Sequence, residues 1–151
     1  MVQHDFKNFP ELTDNQMELF YFKSPHKQIT EDFKAKVVKV IDGDTIRVKT
    51  NFRDFDFPVR FLDVAAPELK EGGRDSQKWL EKRIMGEEIM IEIDKENRVG
   101  KWGRLLGRII WKGLNMNQAI INAGKAVRWE ERNNGVVDIN KMLKEIKRQW
   151  H

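Results

Sequence analysis

No cysteine occurs among the 151 residues. That excludes disulfide staples, thiolate zinc sites, cysteine nucleophiles and any disulfide-linked partner. Histidine is nearly as scarce. His4, His26 and His151 lie toward the ends, and no H-x-x-H spacing exists, so a histidine metal centre is not expected. Ser24 and Ser76 are the only serines, and neither sits in a G-x-S-x-G turn. No apolar run approaches the ~20 residues of a membrane span. The stretch MVQHDFKNFPELTDNQ lacks the basic-then-apolar order of a signal peptide. The expectation is therefore a cytoplasmic monomer without membrane contact. Chemistry, if there is any, falls to carboxylates, arginines and a hard metal ion.

What is present is an ordinary globular composition, 40% apolar and 34% charged. The net charge is +4 and the isoelectric point about 9.3, compatible with a polyanionic partner such as nucleic acid. The length suits one domain with a decorated end. Residues 1–33 are expected to be an N-terminal extension holding a short helix packed on the main domain, or serving as an interaction arm. In LTDNQMELFYF, Thr13 with Gln16 matches a capping box and Leu12 with Met17 a hydrophobic staple.

From residue 34 to 151 the pattern predicts one folded domain. KAKVVKVIDGDTIRVKT is two strands around Asp42-Gly43, a hairpin pair chosen for positive φ. FDFPVRFLDV reads as a third strand, with Pro58 marking an edge or bulge. A helix near 74–85 follows, with Gly86 as C-cap. EIMIEID gives the fourth strand and RLLGRIIW the fifth. NMNQAIINAGKAV is a short helix ending at Gly124. VVDINKMLKEIKRQW places Ile139, Met142, Leu143, Ile146 and Trp150 at helical spacing, its lysines forming a solvated face. The class is α+β, a five-stranded OB-type β-barrel with about three packed helices. Such barrels commonly bind nucleic acids or sugars, which by itself fixes no chemistry.

Four stretches stand in order: VIDGDT (40–45), RFLDVAAPE (60–68), GKWGR (100–104) and NQAIINAGKAV (117–127). In this order and spacing they resemble the staphylococcal nuclease (thermonuclease-like) family over roughly residues 36–129. The resemblance implies calcium-dependent cleavage of phosphodiester bonds in DNA and/or RNA. It assigns Asp44 to the calcium ion, Arg60 and Arg104 to the phosphate, and Glu68 to general base. Those residue types suit the reaction. Two guanidiniums form a planar, always-charged clamp for an anionic phosphate. A carboxylate can take a proton from water, and calcium wants oxygen ligands. Lys70 and Arg74 follow Glu68 closely and are candidates for backbone contacts. Trp102, beside Arg104, is a candidate to stack on a base.

The chain departs from the family at one ligand. The usual pattern ends this strand Asp-x-Pro-Glu, and its aspartate is the second calcium ligand. Here that position is Ala65. Ala66 follows and can still offer a backbone carbonyl. Asp63, two residues back, would lie ~6.6 Å along the chain, too far to substitute. Gly100 also stands where an acidic residue is common. Metal binding is expected to be weakened or remodelled. The alternative to an active endonuclease is a silent domain that binds nucleic acid without cutting it.

Overall fold

The computed structural model describes residues 6, 9–13, 16–17, 24–67, 69, 72–100 and 103–132. Strand β1 (Phe33–Asp42) turns Phe33, Ala35, Val37 and Val40 inward and Lys34, Lys36 and Lys39 outward. The change of step between Val37 and Val40 comes from a register shift against β2 (Thr45–Lys49): Val37 faces Val48, but Lys39 faces Arg47. The extra residue is Val38, a bulge of the kind that bends a strand around a barrel. Strand β3 (Phe57–Phe61) pairs antiparallel with β2, Thr45 opposite Arg60 and Arg47 opposite Pro58. The expected edge for Pro58 is there. The parallel pairing of β3 with β6 (Leu105–Trp111) begins one residue later, at Val59 opposite Leu105. The proline's missing N–H therefore breaks no ladder there.

Strand β5 (Glu88–Glu92) joins β1 on one side and β6 on the other. The order β3-β2-β1-β5-β6, closed by β3 on β6, makes the five-stranded OB-type barrel. Val37, Ile46, Val48, Val59, Ile91 and Ile109 fill its interior with no exposed surface. Helix α1 (Gly73–Ile84) buries Leu80 and Ile84 against that core. Gln77 on α1 donates from Nε2 to the carbonyls of Val40 (3.1 Å) and Ile41 (3.2 Å). Gly86 follows at φ 75°, and its N–H reaches the Val37 carbonyl.

The third strand is shorter than its apolar pattern. Asp63 adopts φ 60°, which breaks the alternation. The chain then re-pairs as a separate two-residue ladder, β4 (Val64–Ala65) on β8 (Val127–Arg128). β7 (Leu114–Asn115) extends β6 as a hairpin, and α2 (Met116–Asn122) ends before Gly124 at φ 72°. Four residues, α3 (Trp129–Arg132), complete the described chain. Two-residue strands carry no periodicity, so β4, β7 and β8 leave no signal in the sequence. The helix expected over 136–150 lies outside the described residues.

Among the described residues before β1, Glu11, Leu12 and Ile29 are buried against the barrel and its loops. The Thr13–Gln16 box forms: the Thr13 N–H donates to Gln16 Oε1 (3.0 Å) and the Gln16 N–H to Thr13 Oγ1 (3.3 Å). Beside it the Glu11 carboxylate is fully buried between Arg53 and Arg98, the latter 2.9 Å away. It also accepts the Ile29 N–H at 2.9 Å. Among the described residues, no helix is long and apolar enough to cross a membrane.

Candidate active site

The β1–β2 turn carries the acidic end of the site. Gly43 is not at positive φ, contrary to the expectation for the hairpin. Its role is close approach. A Cβ there would stand 2.7 Å from Cβ of Ser76 on α1 and 2.9 Å from Cβ of Ala66. The turn is thus pressed onto the helix and onto the residue after β4. That puts Asp44 under Ala66, whose N–H donates to Asp44 Oδ2 at 2.9 Å. The other carboxylate oxygen accepts the Thr45 hydroxyl at 2.8 Å.

Arg60 enters from β3. Its Nη2 lies 3.4 Å from Asp44 Oδ2, a long contact rather than a tight ion pair. Its guanidinium lies 4.7 Å from the Trp129 ring centroid. A quarter of the side chain remains exposed, so the cation is oriented from two sides and still open to an anion. Arg104 immediately precedes β6. Leu105 faces Val59 and Leu106 faces Arg60, so Arg104 shares the outward face of Arg60 across one strand boundary. Strand spacing and rise put the two Cα atoms about 8 Å apart. Arg104 has no ion pair or side-chain hydrogen bond among the described residues. Its backbone is held by a tight loop, the Gly100 N–H donating to its carbonyl at 2.7 Å.

Ala65 is 1% exposed and packs with Val127 and Trp129. Asp63 is exposed, at φ 60°, and lines a cavity with Arg108, Asn117 and Arg128 that does not include Asp44. Ala66 is half-buried, and Arg74 is exposed in the first turn of α1. Glu68, Lys70 and Trp102 lie outside the described residues.

Three participants were not singled out in the sequence. Asp42 accepts the Asp44 N–H on Oδ1 at 3.0 Å. Burial, then the side-chain hydrogen bond and negative charge of Asp44, push its carboxyl up to about 7, against smaller opposing pulls from the Asp44 N–H and then Arg60. Trp129 supplies the surface under Arg60. Asn117 stitches the structure behind the site: its Oδ1 accepts the Ile109 N–H (2.9 Å), and its Nδ2 donates to the carbonyls of Leu62 (3.0 Å) and Gly107 (3.1 Å). The Asp-x-Asp spacing is the only local signal that could have found Asp42.

Two neighbouring carboxylates, one of them raised to about 7 by burial and by the other, are a hard-oxygen donor set that a divalent cation fits. Among the described residues, no cluster of three or more carboxylate or imidazole side chains adds to them.

Barrel and helices together define the class of OB-type α+β domains. Within it the chain belongs to the staphylococcal nuclease family: residues 58–149 match the staphylococcal nuclease homologues. An uncharacterized endonuclease of Escherichia coli, and its counterpart in strain O157:H7, are 32% identical over 117 residues, covering 76% of this chain and 72% of theirs. Endonuclease YncB of Bacillus subtilis is 32% identical over 95 residues, covering 58% of this chain and 44% of its own length. The SPbeta prophage-derived endonuclease YokF of the same organism is 30% identical over 95 residues, 31% of its length.

Proposed function

We propose that this chain is a calcium-assisted endonuclease acting on DNA and/or RNA with low sequence preference. The observation that carries the reading is Arg60, oriented by Asp44 and Trp129 yet partly open, on one outward face with Arg104. Two guanidiniums reaching out from one face suit the non-bridging oxygens of one phosphodiester, and would stabilise the added charge of its transition state. In this reading Glu68 accepts a proton from the attacking water. The water oxygen bonds to phosphorus as the ester P–O bond breaks, and the leaving oxygen takes up a proton from solvent. Asp44 and the backbone carbonyls of Ala65 and Ala66 would hold the calcium ion, with Asp42 beside them. When bound, the ion would supply positive charge against the phosphoryl oxygen. Lys70 and Arg74 are proposed to meet the flanking backbone, and Trp102 to stack on a base. Residues 1–33 are taken as an extension packed on a single domain running from residue 34 to residue 151.

The test is incubation with single- and double-stranded DNA and RNA in calcium, in magnesium and in chelator. Expected is cleavage that chelator and Glu68→Gln both abolish. Cleavage unchanged in both overturns the reading. A second reading is favoured by one observation, the buried methyl of Ala65 where a ligand is usual. In it the site binds nucleic acid but does not cut until Ala65→Asp restores the anion.

A further inference from the structure

The outward face of β1 and β2 carries a charge pattern that stability alone disfavours. Lys36 lies directly opposite Lys49, and Lys39 directly opposite Arg47. Like charges in facing positions destabilise a sheet. The bulge at Val38 is what creates the second rung, since Lys36 and Lys39 are three apart and would otherwise face opposite ways. Arg47 is paired with Asp56 at 2.6 Å, and Lys36 has Glu88 opposite it on β5. Lys36, Lys39 and Lys49 have no ion pair among the described residues.

The pattern has a direction. Thr45 stands opposite Arg60 at the active rim. Arg47 follows two residues along the same face and Lys49 two further, so the rungs are spaced by about 6.6 Å. That spacing is comparable to the phosphate repeat of an extended single strand. The face then runs into an open cavity of about 1360 Å³, lined by Arg47, Lys49 and Lys27 and by Phe52. Phe52 is 52% exposed, one edge-on contact with Phe33 holding its ring. Asp54 and Asp56 are the carboxylates on the lining.

We infer that this face and cavity form a track for the single-stranded segment flanking the scissile phosphate. The facing cations take successive phosphates, and Phe52 receives a base. Unpaired cations in a row with an exposed aromatic at the end are the means by which single strands are held without sequence preference. The inference rests on the endonuclease reading for where the track leads, but its binding component stands apart from cleavage.

The experiment measures binding of a fluorescein-labelled deoxythymidine oligomer of about 16 nucleotides, the upper end of an OB-type site, in chelator so that nothing is cut. A dinucleotide is the short control. The variants are Lys36→Gln/Lys49→Gln, Lys39→Gln and Phe52→Ala. For the double variant, affinity for the long oligomer should fall about tenfold, and the slope of log K against log salt should flatten by about 1.4, two phosphate contacts at ~0.7 each. The dinucleotide should bind as before. Melting temperature should hold or rise, since a repulsive pair is gone. Unchanged affinity and slope in the double variant and in Lys39→Gln overturn the track, as does a wild-type chain that does not bind the oligomer. Tight binding with no cleavage in calcium would sink the endonuclease reading alone. Cleavage with undiminished binding by the variants would sink the track alone.

Discussion

Two residues decide how the rim handles charge. Arg60 and Arg104 are expected to be separable from the fold, because one is partly open and the other makes no ion pair or side-chain hydrogen bond among the described residues. Arg104→Ala should lower kcat by roughly 10²–10³, with an unchanged melting temperature. Arg104→Lys should recover little of it, since an ammonium cannot match a planar phosphate contact. Single-turnover cleavage at saturating substrate reads this directly, and a lysine variant at wild-type rate would remove the clamp from the mechanism. Ala65 makes the opposite case. Its methyl is packed on Val127 and Trp129, so Ala65→Asp puts a carboxylate into an apolar contact. Without metal the variant should lose about 1–3 kcal/mol. With calcium it should regain that loss and more, as a ligand that binds only the folded state does. Thermal melts with and without calcium check the pair of signs; a variant that calcium does not raise more than wild type would show that position 65 faces no metal.

Among elements, the five barrel strands were legible and the two-residue strands were not. Ile46 with Val48, and Ile89 with Ile91, alternate in the sequence and point inward in the barrel, because a half-buried strand has period two. Both helix ends expected at Gly86 and Gly124 are there, since a left-handed residue after a helix is a local demand. Gly43 was read for the wrong local reason. What requires a glycine is contact with Ser76 and Ala66, distant in sequence, and no hairpin rule contains them. The same limit hid the buried Glu11. Its partners Arg53 and Arg98 are 42 and 87 residues away, and a glutamate in a polar leader shows no sign of being buried. That charge cluster ties Glu11 and its described neighbours Leu12 and Ile29 to the loops before β3 and before β6. Removing its centre, Glu11→Ala, leaves two buried guanidiniums without their anion and should cost about 3–5 kcal/mol. Replacing all three with apolar residues of similar volume should cost far less. Urea unfolding of the two variants distinguishes a needed ion cluster from a merely tolerated one, and a mild loss in Glu11→Ala would mean the leader is not held through it.

At the scale of the whole molecule, the acidic turn couples folding to pH, and under the calcium proposal to metal as well. Asp42 titrates near 3.8 when unfolded and near 7 when folded, because burial and then Asp44 disfavour its charged form. Between those values the folded state holds the proton and the unfolded state does not, so stability falls as pH rises through that window and levels off above it. This sign is opposite to that of a salt-bridged carboxylate. The contribution of Asp42 is isolated by comparing wild type with Asp42→Asn in chelator: urea midpoints at about pH 5 and about pH 8 should differ more in the wild type, which loses stability on going up. A calcium ion wants both carboxylates charged, so calcium affinity should rise over the same window as the Asp42 proton leaves. Metal added at the upper pH should therefore recover the stability that the pH rise removed, and should recover less in Asp42→Asn. If wild type and Asp42→Asn show the same pH slope in chelator, the proton is not on Asp42, and the coupling of turn and metal has to be sought in Asp44 alone.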